Sequence, residues 1–143
     1  MAETHPKFDV ALVTPEGETF RGEAEMIIVP GAAGEIGVLA RHAPLVATLK
    51  AGSMRIYRDR ASEDVLEFAT GPGFFKVELD NAIALVDDAV DVKQIDDARA
   101  QAQLEAATAE LEKVEAGESN ADRWQLEQRI LHAQNQLTVA GRT

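Results

Sequence analysis

The chain has no cysteine, no proline beyond Pro72 and no apolar run near the ~20 residues that a membrane-spanning helix needs. Without cysteine there are no disulfides, thiolate metal sites or cysteine nucleophiles, which fits a reducing compartment. Met1 to Pro6 lack the apolar segment of a secretory signal, so none is expected. Basic charge is scarce: 14 Lys and Arg stand against 25 Asp and Glu, a formal net charge of -11. The excess runs through both halves, with eight basic against fifteen acidic residues over 1–90 and six against ten over 91–143. Neither half offers the cationic surface that nucleic acid or anionic lipid requires, and no nucleic-acid partner is expected. A partner should be neutral or basic where it touches, although acidity also serves solubility alone.

Catalytic patterns are missing as well. His5, His42 and His132 fall in three separate elements, without H-x-x-x-H or H-E-x-x-H spacing, so no metal is expected. There is no G-x-S-x-G, and Ser53, Ser62 and Ser119 have no histidine in a recognisable frame. The acidic pairs Asp87-Asp88 and Asp96-Asp97 are adjacent in sequence. Adjacent side chains face opposite ways on a strand and diverge by about 100° on a helix, so neither pair is a catalytic dyad. The expectation is a protein that is not an enzyme.

What is present divides in two. Residues 7–90 alternate between short apolar-polar runs and turn signals. Phe8, Val10 and Leu12 alternate before Pro15-Glu16-Gly17, and Thr19 to Arg21 returns as a short strand. Met26 to Val29 is long enough for a buried strand, and Met54 to Arg58 and Val65 to Phe68 alternate again. Asp59 to Glu63 forms a polar hairpin tip. Gly71-Pro72-Gly73 carries turn chemistry, with glycine supplying positive φ. Asp80-Asn81 forms a two-residue hairpin between Phe74–Leu79 and Ala82–Val86. This pattern predicts an antiparallel β-sandwich or barrel over residues 1–90.

At Val90-Asp91 the period changes and alanine content rises. Asp91 is read as an N-cap, with Asp96-Asp97 near the positive helix end. Ile95, Ala98, Ala102, Ala106 and Ala109 share one face, beside a stripe of Leu104, Leu111 and Val114. Gly117 closes this helix of ~24 residues, about 36 Å long. Asn120 is read as the cap of a second helix, in which Leu126, Ile130, Ala133 and Leu137 follow i, i+4, i+7, i+11, with Trp124 and Leu131 beside them. The fold class is therefore α+β: an N-terminal antiparallel β-sandwich (1–90) followed by a C-terminal α-helical hairpin (91–143). Alanines bury little area, so the seam between the helices is weak at roughly 25 cal/mol per Å².

The most structured connection is Pro30 to Gly52. Gly31, Gly34 and Gly37 recur every third residue, which calls for positive φ or close backbone approach. They lack the Gly-Lys-Ser/Thr ending of a phosphate loop. Glu35, Ile36 and Gly37 precede the pair Arg41-His42, and Pro44 biases Ala43 toward extended geometry. Apolar and charged residues exposed together mark a contact surface. For His42 a bond to a nearby carbonyl is the plainer alternative.

These residues also carry a resemblance. G-E-I-G-V-L-x-x-H-A-P-L, Gly34 to Leu45, followed by a strand and Lys50-Ala51-Gly52, resembles the epsilon subunit of bacterial F-type ATP synthases, and the likeness runs from about Phe8 to Leu137. It implies a β-sandwich and a helical hairpin on the central stalk. The implied partners are the gamma subunit, the c-subunit ring and, through the C-terminal helices, the alpha/beta hexamer. The implied location is peripheral, on the cytoplasmic side of the bacterial inner membrane. The implied role is to couple proton-driven rotation to ATP synthesis, with a hairpin that restrains ATP hydrolysis. Glu35, Ile36, Gly37 and His42 are the implied contacts to the c-ring and gamma. Ala40-Arg41 stand where the family commonly has Pro-Gly.

Ile95-Asp96-Asp97-Ala98-Arg99-Ala100 resembles the family's I/L-D-x-x-R-A nucleotide motif. The resemblance implies Ile95, Asp96 and Ala100 around adenine, Arg99 at phosphate, and Arg123 and Arg129 added from the second helix. Ala106 supplies no donor and Val90 no carboxylate, so ATP binding is expected to be weak or absent, with no other cofactor. On the residues alone, Asp96 and Arg99 form an i, i+3 ion pair worth a few tenths of a kcal/mol. An ATP-sensing binding module is the alternative function.

Overall fold

Period-two alternation gives ten strands in the computed structural model, which describes residues 5–61 and 64–141. They are β1 (Phe8–Thr14), β2 (Gly17–Ala24), β3 (Met26–Gly31), β4 (Gly34–Leu39), β5 (Leu45–Leu49), β6 (Gly52–Tyr57), β7 (Val65–Thr70), β8 (Gly73–Glu78), β9 (Asn81–Val86) and β10 (Ala89–Asp91). Hydrogen bonding runs β10-β7-β6-β3-β5-β8-β9-β1-β2, with β4 also on β3. The sheet turns over between β3 and β5, which share one register pair, Gly31 with Leu49. Ala32 N–H donates to Thr48 O at 2.9 Å and Lys50 N–H to Pro30 O at 3.0 Å, completing the corner. Two layers result, β4-β3-β6-β7-β10 and β5-β8-β9-β1-β2.

One core fills the space between them. Ile27, Val29, Val38, Met54 and Ile56 come from the first layer, and Leu12, Phe75, Val77, Ala84 and Val86 from the second. Phe20 and Phe68 meet across the layers with ring centroids 6.4 Å apart. The sandwich is antiparallel except where β1 runs parallel to β9. Parallel pairing needs a long crossover, which the seven intervening strands supply. On the edge strand β2, Arg21 donates to both oxygens of Glu18 (3.0 and 2.9 Å), and that hydrogen bond lowers the Glu18 pKa from its ordinary value.

Several local expectations change. The connection from Pro30 to Gly52 is not a loop: it is the β3–β4 hairpin, a turn over Ala40–Pro44, and β5. Gly34 has positive φ (143°), and a Cβ on Gly31 would meet Gly34 O at 2.6 Å, but Gly37 has open space around it. Gly73 is required for closeness rather than for positive φ. The hairpin tip after β8 is Leu79-Asp80, one residue earlier than expected, because Glu78 pairs with Asn81. Of the expected tip Asp59 to Glu63, Ser62 and Glu63 lie outside the described residues.

The chain divides into two compact units, Met1–Asp91 and Val92–Thr143. In the second, a short 3-10 turn (Val92–Gln94) precedes α1 (Asp97–Glu115), and α2 (Arg123–Ala140) follows. Asp91 ends β10; the N-cap of α1 is Asp96, whose carboxylate accepts the Arg99 N–H at 3.1 Å. Gly117 (φ 76°) stops α1, with Glu118 N–H on Lys113 O and Gly117 N–H on Val114 O. That pair of bonds is a Schellman motif. Asp122, not Asn120, caps α2 through the N–H groups of Trp124 and Gln125. The alanine face Ala98, Ala102, Ala106, Ala109 is exposed. The positions of α1 that are not exposed are Ala100, Leu104, Ala107, Glu110, Leu111 and Val114; the stripe of Leu104, Leu111 and Val114 gains more from burial than the alanine face. Only the alanines among them are fully buried, so the seam stays thin. On α2, Leu126, Ala133 and Val139 are buried, while Trp124 is 65% exposed.

A Cβ on Gly73 would lie 1.9 Å from Leu85 O and 2.7 Å from Val86 Cα, both backbone. Gly73→Ala should therefore destabilise the sandwich by at least ~2 kcal/mol, measured by denaturant unfolding of the full chain. A change under ~0.5 kcal/mol would mean that β8 and β9 separate easily here.

Candidate partner-docking site

Alternation along β4 decides what its residues can touch. Glu35 and Gly37 point outward, and Ile36 points inward, half-buried against the core. Ile36 therefore packs against the core while part of its side chain stays at the surface. Glu35 meets the guanidinium of Arg55, two strands away, at 3.1 Å. The pair is exposed and contributes at most about 1 kcal/mol, so a partner can compete for either charge. Gly37 leaves a flat place on the outer surface of an edge strand. His42 is half-buried in the turn after β4, and its Nδ1 lies 2.6 Å from Ala43 O. The carbonyl can only accept, so Nδ1 carries the hydrogen in this contact. The five residue steps from Glu35 to Ala40 cover about 17 Å, so Glu35 and His42 share an edge and not a point.

Reading the residues in order missed a second surface. Phe74 on β8 is 61% exposed and faces Leu85 on β9, itself 48% exposed. Val46 on β5, 70% exposed, pairs with Lys76, two residues along from Phe74. Ile83 lies on the same outer face, opposite Lys76. The signal was available: Phe74-Phe75, Leu45-Val46 and Ala84-Leu85-Val86 are apolar at consecutive positions. On a strand, consecutive apolar residues put one on each face. Phe75, Ala84 and Val86 take the core, and their neighbours are left outside. The Lys76–Glu78 ion pair, 3.1 Å, borders this row.

The residues of the nucleotide motif are distributed along the hairpin. Asp96 is committed to the helix cap, Ile95 is half-buried and Ala100 is 2% exposed. Asp96 holds the Arg99 backbone and forms no ion pair with its side chain. Arg123 is bound at the opposite end of α1, to Glu115 at 3.1 Å and to Glu127 at 3.0 Å. Sixteen residues of helix separate Arg99 from Glu115, about 24 Å. Arg123 is therefore not brought to Arg99, and the exposed Arg129 lies on α2 between the two ends. Among the described residues, no three His, Cys, Asp or Glu cluster as metal ligands.

Comparison with known proteins agrees with the fold. The family model "ATP synthase, Delta/Epsilon chain, beta-sandwich domain" matches residues 7–92. The chain belongs to the delta/epsilon family of ATP synthase subunits. It is of the epsilon type, being similar to curated relatives named ATP synthase epsilon chain. One, from Laribacter hongkongensis, is 41% identical over 104 residues, 73% of this chain and 74% of the relative. Another, from Halalkalibacterium halodurans, is 35% identical over 137 residues, 96% of this chain and 99% of the relative. In fold, the chain resembles one in the cryo-EM structure of Euglena gracilis mitochondrial ATP synthase, with a TM-score of 0.69 and 20% identity. That match covers 93% of this chain and 81% of the other.

Proposed function

We propose that the chain works as a non-catalytic rotor subunit of the central stalk of a bacterial F1 sector, coupling proton-driven c-ring rotation to ATP synthesis. The observation that carries this reading is the uncovered row Val46, Phe74, Leu85 on one outer face of the sandwich. Apolar side chains that the fold could have hidden are held out where a partner can bury them. The gamma subunit is assigned to this row and to the Ala40–Pro44 turn beside it. The c-ring is assigned to the β4 edge, through Glu35 and Gly37. No described helix is long and apolar enough to cross a membrane. Association with the cytoplasmic side of the inner membrane accordingly runs through these partners.

The C-terminal hairpin is assigned a regulatory role at the alpha/beta hexamer. Its thin seam supports this: a two-state element needs packing weak enough to exchange. ATP binding to the hairpin is proposed to be weak or absent, because Asp96 is spent on the cap and Arg123 lies a helix length from Arg99.

Three measurements test these assignments. Phe74→Asp should weaken binding to the isolated gamma subunit at least ~30-fold, as loss of an aromatic anchor of about 2 kcal/mol implies. Its unfolding midpoint should stay near that of the unaltered chain, since the side chain is already exposed. Unchanged affinity would remove gamma from this face. Deleting residues 92–143 should raise ATP hydrolysis by the assembled F1 sector, and an unchanged rate would end the regulatory reading. Calorimetric titration with ATP should show no saturation up to millimolar concentrations. Saturable binding that disappears in Arg99→Ala would establish the nucleotide-sensing alternative.

A further inference from the structure

The Ala40–Pro44 turn does not owe its shape to its own sequence. Arg41 has φ 62°, in the left-handed region that a residue with a Cβ disfavours. No glycine stands there to take that conformation freely. The turn has a distant partner instead: the Arg41 N–H donates to Oδ1 of Asp80 at 2.9 Å, across 39 residues of chain. A carboxylate accepting a backbone N–H makes a charge-assisted bond, stronger than one between neutral groups. Asp80 sits on the β8–β9 hairpin tip beside Leu79, which has φ 56° and is 77% exposed. Arg41 and Leu79 are the non-glycine residues with positive φ among those described. The Asp80 carbonyl also accepts the Asp9 N–H at 2.9 Å. One residue thus ties the start of β1, the β8–β9 tip and the β4–β5 turn together.

We infer that Asp80 is a positioning residue for the docking turn: its carboxylate holds Arg41 left-handed and so fixes how His42, Ala43 and Pro44 meet the gamma subunit. This rests on the reading of that turn as a contact. The backbone of the turn sets the ring direction of His42, because Nδ1 is bound to the adjacent carbonyl of Ala43. Leu79 lines a shallow cleft with Arg41, His42, Ala43, Pro44 and Asp80. The clamp therefore sets a histidine from the β4–β5 turn and an exposed leucine from the β8–β9 hairpin at fixed places on one surface.

The test is a mutant cycle on the full chain, read by affinity for the isolated gamma subunit and by hydrogen exchange at the Arg41 amide. Asp80→Ala should speed exchange at Arg41 and weaken binding about tenfold, the loss produced when a turn is competent one-tenth of the time. Adding Arg41→Gly should restore affinity to within about threefold of the Arg41→Gly single variant, because glycine takes positive φ without a clamp. A general loss of structure would not be rescued by a glycine. The inference is overturned if Asp80→Ala changes neither readout, or if the glycine fails to rescue a chain that unfolds at its usual midpoint. His42→Ala separates the two layers of the argument. If it weakens binding while Asp80→Ala does not, only the positioning role fails. If neither weakens binding, the turn is not a contact.

Discussion

The fold depends on one constraint: a ten-stranded sheet with an apolar face must turn over on itself to hide that face from water. It does so where Pro30 to Ala32 cross Thr48 to Lys50. Space there is short, because a Cβ on Gly31 would meet Gly34 O at 2.6 Å and one on Gly52 would meet Pro30 Cβ at 2.8 Å. Missing side chains let the two layers meet at this corner. Everything inward of it, from Val29 to Phe75, becomes core, and the outward positions become available for contact.

The same corner explains how the β4 edge and the outer apolar row are arranged. β4 hangs on the outer side of β3, so its far edge pairs with no other strand among the described residues and presents Glu35 and Gly37. β5 carries the chain directly to the other layer, whose outer face holds Val46 beside Phe74 and Leu85. A single excursion of the chain, from β3 to β5, thus serves the corner, the charged edge and one end of the apolar row. The helical unit follows different physics. Its ends are well capped by Asp96, Gly117 and Asp122, while on the α1 side of its seam only Ala100 and Ala107 are fully buried. Strong ends with a weak seam preserve each helix and leave their association adjustable.

Sequence by itself determined much of this protein. Period-two runs located the strands, the change at Val90-Asp91 located the helices, and Gly117 marked the break between them. Low basic charge, missing cysteine and missing catalytic spacing narrowed the function, and the Gly34–Leu45 motif indicated the family. These are properties of neighbouring residues, and a linear reading captures them. Tertiary structure alone decided which of two adjacent helical stripes forms the seam, that Ile36 faces inward while Glu35 and Gly37 face out, and that Phe74, Leu85 and Val46 adjoin. It also decided that Arg123 lies a helix length from Arg99, and that Asp80 reaches Arg41. Each of these depends on pairing between residues far apart in sequence. Local periodicity says that a face exists, but only long-range packing says what that face meets.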